Sequence, residues 1–423
     1  MNQPLQITLK TLTPLWTGGV GQTCDRLHET GLIGSLRWWY EALVRGLGGY
    51  ACDPTSEKRC EYDPKKPDPP EKQLCAACYL FGCTGWARKF RLRVSNGQSL
   101  LPERNILIPS GRKHQTKKGE RAGGWFVFNE SRIGEIVLDL IPLRDANLEP
   151  ICTILALISR HASLGPKGAS GYGVIQAKDI VSDLAWLQRL DGQSPQRNQT
   201  LPDFRDFFFA RFQFSEPKNR EWWQTINGIR QAVNGQLEDG SSPSPLQQSK
   251  EKLEQLVNQG VLPLAPTIRN WLRYEWKHKL DSAATHFVFG EAQGVCPKCY
   301  QPGIKPDKKD PDKKKWCPNC RFIFDKDKEI PATASKLQVS YAYRINNQQW
   351  EFRIWGWIPC AGHPKERDAF LTQLQSALQG DSIWKFVFRQ NNITPHMNEW
   401  HMLSCDQANG QAYLSDLLSG GNK

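Results

Sequence analysis

Leu5, Ile7 and Leu9 alternate with polar neighbours in PLQITLKTL, residues 4–12, which is the period-2 pattern of a half-buried strand. After a Gly-rich connection at Gly18–Gln22 the spacing changes. In GSLRWWYEALVRG, Gly34–Gly46, the residues Leu36, Trp39, Leu43 and then Leu47 recur at helical intervals, and Gly48 and Gly49 stop the helix. Arg37, Tyr40, Glu41 and Arg45 fall elsewhere around it. Strands are predicted at 88–94, 104–109, 124–128 and 134–141. A helix over 146–163 ends in LGPKGASGYG, and a strand over VIQAKDI follows. The second half opens on a strand, FFFARFQF, Phe207–Phe214. Helices are predicted at 220–234, 247–258 and from Pro266 (PTIRNWLRYEWKHKL), then strands at 336–345 and 350–358 and a helix at 365–378.

The halves echo each other. LRWWYE, Leu36–Glu41, resembles IRNWLRYE, Ile268–Glu275. YLFG, Tyr79–Gly82, returns as FVFG, Phe287–Gly290. ARKFRLRVSNG, Ala87–Gly97, returns as ASKLQVSYAYR, Ala334–Arg344. Three matches in one order point to duplication of a strand–helix–strand framework. The predicted class is α+β, with a first domain at 1–180, a linker at 181–202 and a second domain at 203–423. A cysteine-rich insertion (about 50–78) precedes the FG in the first half, and another (about 294–322) follows it in the second.

The 423 residues are enough for two or three domains. With a mean hydropathy of −0.56 and no apolar run near the roughly 18 residues that span a bilayer, the chain reads as soluble. The N-terminus lacks a basic stretch leading into an apolar one, so a cytoplasmic protein is expected. Lys and Arg number 55 against 43 Asp and Glu, a net charge of +12 that favours a polyanionic partner through counterion release. Sixteen Trp serve core packing or, beside Arg, stacking on unpaired bases.

Thirteen Cys, an odd number with no secretion signal, favour metal binding over a disulfide framework. Cys296, Cys299, Cys317 and Cys320 read C-x2-C-x17-C-x2-C, two knuckles that close a tetrahedral four-thiolate site suited to structural zinc. The loop between them is too polar to fold alone, so metal would supply its folding energy. Its lysines are either a solvated face or a contact for a nucleic-acid backbone. Cys52, Cys60, Cys75 and Cys78 form a second quartet, C-x7-C-x14-C-x2-C, in a segment rich in Pro and charge that needs a staple. Cys83 is the spare beside it, and Cys24, Cys152, Cys360 and Cys405 read as ordinary small residues.

Gly165, Gly168, Gly171 and Gly173 lie between a helix and a strand. The order is wrong for a Walker A loop or a dinucleotide fingerprint. The glycines permit positive φ and close backbone approach, and Lys167 can reach a phosphate from there.

These features resemble the RAMP superfamily of CRISPR proteins: a Gly-rich loop after the last helix, a duplicated unit, and basic helices with aromatics. The segments TPLWTGG, ETGLIGSLRWWYEALVRGLGGYACDP, CAACYLFGCTGWARKFRL and IRNWLRY resemble, more narrowly, first-RAMP-subunit sequences of type III-B (Cmr) effector complexes. The resemblance is dense from Thr13 to Arg93 and sparser beyond. It implies two tandem ferredoxin-like (RRM-like) RAMP domains and supports a metal quartet at Cys52, Cys60, Cys75 and Cys78. It also implies a non-catalytic subunit that caps an RNA-guided assembly, holds the 3′ part of the guide RNA, can touch target RNA as well, and neighbours other RAMP subunits. Residues expected to contact RNA are Arg37, Trp38 and Arg45 on the first helix, then Trp86, Arg88, Lys89 and Arg91, then Lys167. Arg269, Arg273 and Lys336 follow by repeat position. Arg37 can instead pair with Glu41 one turn on.

Two other readings stay open. Some RAMP relatives are metal-independent ribonucleases that use His as acid or base, for which His28, near Asp25, and His161 are the candidates. A zinc-stabilised scaffold that touches only proteins is the other.

Overall fold

The structure is a computed structural model that describes residues 4–19, 21, 23–95, 98–99, 106–116, 119–127, 131–143, 146–178, 180, 183–186, 200–237, 240, 249–276, 280–291, 293–300, 303, 315–325, 327–360, 366–389, 392–407 and 409–419. Most of the predicted linker and most of the lysine-rich loop between the knuckles lie outside these residues, as do the first residues of the strand predicted at 104–109.

The first half contains β1 (Leu5–Thr11), α1 (Glu29–Gly46), α2 (Pro70–Gln73), α3 (Ala76–Phe81), β2 (Phe90–Ser95), β3 (Gln98–Ser99), β4 (Ile106–Thr116), β5 (Gly119–Val127), β6 (Arg132–Ile133), β7 (Glu135–Pro142), α4 (Glu149–His161) and β8 (Ile175–Ala177). Four of these strands form an antiparallel sheet in the order β2-β7-β1-β8. Pairing Ile7 with Leu138 and Leu9 with Ile136 puts the apolar set of both strands on one face, as period 2 requires. On β2 the same alternation buries Phe90 and Leu92 and exposes Arg91 and Arg93. β4 and β5 make a separate hairpin, and β3 with β6 a short ladder.

The second half contains β9 (Phe207–Ser215), α5 (Ile229–Asn234), α6 (Ser249–Asn258), β10 (Val261–Leu262), α7 (Ala265–Asn270), α8 (Ser282–Phe289), β11 (Leu337–Val339), β12 (Ala342–Arg344), β13 (Gln349–Trp357), α9 (Arg367–Gln379), α10 (Asp381–Phe388), β14 (His396–Met402) and α11 (Gly410–Ser419). Its sheet runs β10-β12-β13-β9-β14, with β11 also on β13. Setting aside short β10, both sheets place their main strands in the order second, third, first, fourth.

The halves interlock. β9 and β13 are buried almost throughout, so their sheet has two covered faces. Phe207, Phe209, Trp355 and Trp357 join the core of the first half, while Ile106 and Ile108 of the first-half hairpin join the core of the second. The terminal helix α11 turns back onto α4, with Leu414 and Leu417 buried in the first core. Charge crosses the junction too. Buried Arg353 on β13 donates through Nη1 to the carbonyls of Ile158 and Ala162, both at 3.0 Å, and through Nη2 to that of Ser159 at 2.8 Å. A guanidinium there satisfies orphan carbonyls at the C-terminus of α4 and opposes its dipole.

Several predictions change. α1 begins at Glu29, before the predicted Gly34, and Tyr40, Glu41 and Arg45 are buried along with its apolar stripe, because the cysteine insertion and Phe81 close over that side: Tyr40 packs on Phe81 and Trp186, and Arg45 bonds the carbonyls of Ala51 and Cys52. The helix predicted at 220–234 is broken into a 3-10 turn at Trp222–Thr225 and α5. Beyond Asn270 the helix from Pro266 widens into a π turn, Trp271–Glu275. Cys360 and Cys405, read as ordinary residues, form a disulfide with Cα atoms 5.5 Å apart. Among the described residues no helix is long and apolar enough to cross a membrane.

Candidate nucleic-acid interface and metal centres

The first insertion gathers its four thiols by helix capping. Cys75 is the N-cap of α3 and its sulfur accepts from the backbone N–H of Cys78 at 3.5 Å, which brings the close pair together. Cys52 Sγ lies 3.5 Å from Cys78 Sγ and 3.8 Å from Cys75 Sγ. All four sulfurs of Cys52, Cys60, Cys75 and Cys78 fall within 4.8 Å of one another. Thiolates about 2.3 Å from a tetrahedral ion sit about 3.8 Å apart, so the quartet fits zinc. Bonds with Cys52 and Cys78 hold the Cys75 thiol well below its usual range, whereas bonds with Cys52 and Cys75 push Cys78 up.

The second quartet is built from two matching knuckles. Tyr300 and Arg321, each just after the second Cys of a pair, have φ of 52° and 61°, and their N–H groups return to the carbonyls of Cys296 and Cys317 at 2.8 and 3.0 Å. Cys296 Sγ and Cys320 Sγ are 3.4 Å apart, and the four donors of Cys296, Cys299, Cys317 and Cys320 again lie within 4.8 Å. Among the described residues Val295, Cys296, Cys317 and Phe324 are buried here, too few to stand without a cross-link. A backbone bond from Phe322 brings the Cys320 thiol down to about 7.

The predicted RNA contacts separate by their surroundings. Arg45 is a correction: it is buried, and its guanidinium donates to the carbonyls of Ala51 at 3.1 Å, Cys52 at 3.0 Å and Pro202 at 3.1 Å, so it fastens the insertion to the start of the second half. Arg37 does pair with Glu41, Nε to Oε1 at 2.8 Å, and also donates to Gly82 O at 2.7 Å and Cys78 Sγ at 3.3 Å. Arg273 is its counterpart, donating to Gly290 O at 2.6 Å and to Glu291 Oε2 at 2.7 Å. Trp38 packs edge-on against Trp39 and Phe207, at 5.2 and 5.8 Å. Burial lowers the pKa of Lys336, whose ammonium sits 5.0 Å from the rings of Phe287 and Trp357.

A more open group lies at the start of β2. Trp86 stacks on Tyr79 with centroids 5.7 Å apart and planes at 23°, and its indole N–H donates to Tyr79 O at 3.0 Å. Lys89 Nζ lies 4.5 Å from the Tyr79 ring and 4.9 Å from the Trp86 ring. Arg88, Arg91 and Arg93 are exposed, and among the described residues none forms an ion pair. Sequence reading missed Arg93, which period 2 places on the face of Arg91, and Tyr79, which the YLFG motif had flagged without a role.

The Gly-rich loop faces inward. Gly165, Gly171 and Gly173 have φ of +92°, +98° and +84°, and Gly171 accepts from Tyr341 N at 2.9 Å. A Cβ on Gly171 would lie 2.4 Å from the Tyr341 ring. Arg269 donates to Ala169 O from the second half. The close approach that the glycines permit is therefore to the other half of the chain. Lys167 sits over the Trp16 ring at 4.6 Å.

Of the two histidines, His28 Nε2 is 2.7 Å from Asp25 Oδ1. His161 is buried against Leu417 O, and burial lowers its pKa to about 3.

Residues 8–176, which run from β1 to β8, match the family model of the RAMP superfamily. Across nearly its whole length the chain is similar to the apo crystal structure of Cmr1 from Pyrococcus furiosus, with 11% identity, 92% of this chain and 97% of that one covered, and a TM-score of 0.35. It is also similar to a chain of the type III-B Cmr-beta complex bound to cognate target RNA and AMPPnP in the presence of ssDNA (10% identity, 89% and 100% covered, TM-score 0.34). A chain of Cmr-beta bound to cognate target RNA aligns at 10% identity over 99% of this chain and 100% of that one, with a TM-score of 0.33. No curated protein matches the sequence.

Proposed function

We propose that the chain is a non-catalytic RNA-binding subunit of a type III-B (Cmr) CRISPR effector complex, made of two tandem ferredoxin-like RAMP domains. It caps the assembly beside other RAMP subunits in the cytoplasm and contacts the 3′ part of the guide RNA, with target RNA within reach. The matched RAMP domain and the shared strand order of the two sheets support the architecture. The observation that carries RNA binding is the exposed Arg88, Arg91 and Arg93 beside the Tyr79–Trp86–Lys89 stack. Guanidinium groups hold phosphates, and an aromatic already braced by a neighbour offers a base a flat surface at little entropic cost. Each cysteine quartet holds one structural zinc, whose four thiolate ligands leave no open position for chemistry.

A metal-independent ribonuclease is the second reading, and the His28–Asp25 pair at 2.7 Å is what favours it. Labelled guide RNA incubated with the purified chain at two salt concentrations separates the two. Intact RNA retained in a salt-sensitive manner, and released when Arg88, Arg91 and Arg93 are all replaced by Ala, supports the binder. Cleavage that His28→Ala abolishes supports the nuclease, and retention unaffected by the triple substitution would overturn the assigned surface.

A further inference from the structure

Outside the two quartets, metal-ligand side chains also converge where the halves meet. His161 is the last residue of α4, and Glu399 and His401 stand two apart on one face of β14. Their donor atoms all lie within 4.8 Å of one another. His161 Nδ1 is 3.6 Å from Glu399 Oε2, and His401 Nε2 is 3.8 Å from the same oxygen. We propose that His161, Glu399 and His401 form a third metal site, which holds one divalent ion of the zinc type and ties the two halves together.

Both imidazoles are aimed for this. His161 Nε2 lies 2.9 Å from the carbonyl oxygen of Leu417. A carbonyl only accepts, so that nitrogen carries the proton and Nδ1 turns a lone pair toward Glu399. A lone pair facing a carboxylate is repulsive unless a cation sits between them. His401 Nδ1 lies 3.6 Å from Asp416 Oδ2, which leaves Nε2 for the shared point. A backbone carbonyl and a carboxylate are the partners that orient metal-bound histidines.

The carboxylate is poised as well. Glu399 Oε2 is buried and makes no hydrogen bond among the described residues. The other oxygen, Oε1, is 3.2 Å from Arg211 Nη1. Ligands about 2.0–2.2 Å from a tetrahedral ion stand about 3.3–3.6 Å apart, so the observed 3.6 and 3.8 Å match with at most a small side-chain rotation. A bulge in β14 between Met397 and Glu399 sets the register that presents both side chains.

Two imidazoles and one carboxylate suit zinc, and the partial exposure of Glu399 and His401 leaves a fourth position to water. Arg211 opposes the ion, so the site binds more weakly than a thiolate quartet. The test is zinc uptake by the full chain, followed by calorimetry and by metal content after removal of free ion. Wild type should bind one more ion per chain than His401→Ala or the near-isosteric Glu399→Gln. Because the readout is a difference, it does not depend on how many ions the quartets hold. Cobalt provides a second readout: the variants should lose a weak visible spectrum of nitrogen and oxygen coordination while keeping any thiolate-to-metal bands. Equal uptake by wild type and a folded Glu399→Gln chain would overturn the proposal.

Discussion

Arg37 and Arg273 are structural counterparts: each reaches from its helix to the carbonyl of the glycine that ends an FG motif, Gly82 at 2.7 Å and Gly290 at 2.6 Å. The echo between the two halves therefore extends to individual hydrogen bonds. Lys89 N to Leu80 O and Lys336 N to Val288 O, both 2.9 Å, continue the correspondence. Replacing Arg273 with Ala strips partners from Gly290 and Glu291 together, and should cost about 1.5–3 kcal/mol in urea unfolding. Arg273→Lys should recover little of it, because one ammonium cannot reproduce the fork.

Metal removal should act locally first. Among the described residues the knuckle region has almost no apolar core of its own, so a strong chelator should open the knuckles at 293–300 and 315–325 to proteolysis before the sheets melt. The first quartet lies against α1 through Arg37 and Arg45, and Cys78→Ser should lower the melting temperature of the whole chain. Limited digestion and a thermal scan on the same samples distinguish the two effects.

Two glycines with similar backbone angles should respond differently to Ala. Gly48 has φ +90° with nothing within 4 Å of an added Cβ, so Gly48→Ala should cost only the conformational penalty, about 1–2 kcal/mol. Gly171→Ala meets that penalty and the Tyr341 ring as well, and should cost clearly more by equilibrium unfolding.

Arg353 should be among the least replaceable cations. Its Nε also donates to the Tyr343 hydroxyl at 2.9 Å, and Arg353→Ala would take one partner from that hydroxyl and remove this donor from the Ile158, Ser159 and Ala162 carbonyls at the buried end of α4. A loss of about 3–5 kcal/mol is expected, read as a shift in the urea midpoint.

His286 gives a pH signature. Burial lowers its pKa from the ordinary value of 6.5, so it stays neutral in the fold while the unfolded chain takes up a proton below that value. Its stabilising contribution is complete above about pH 6.5 and declines as the pH falls beneath it. His286→Gln should flatten that part of the stability profile, as measured by urea titrations from pH 7.5 to 5.

Local spacing carried much of this structure. The strand pattern of β1, the stripe of α1 and the four Cys at 296–320 were legible because period and ligand spacing are properties of neighbouring residues. The same holds for the repeated FG, although its bond to an arginine 45 residues upstream in the first half was not. What was not legible depends on how the halves meet. Arg45 looked like a surface cation on a helix and is buried because the cysteine insertion and the segment leading into the second half close over it. The Gly-rich loop looked ready for a phosphate and instead receives Tyr341. Arg211 and Arg353 carried a signal that went unread: a charge in the middle of an aromatic strand implies a buried partner. β14 and α11 have mixed compositions, and pairing with β9 and packing on α4 are what define them.

The return of α11 to α4, together with the excursion of the first-half hairpin into the second core, means that ancestry and autonomy part company in this chain. A nick between residues 187 and 199 should leave two fragments that remain attached in solution and melt as one species. Expressed singly, each would present an uncovered apolar face and precipitate, and coexpression should restore a soluble, noncovalent pair.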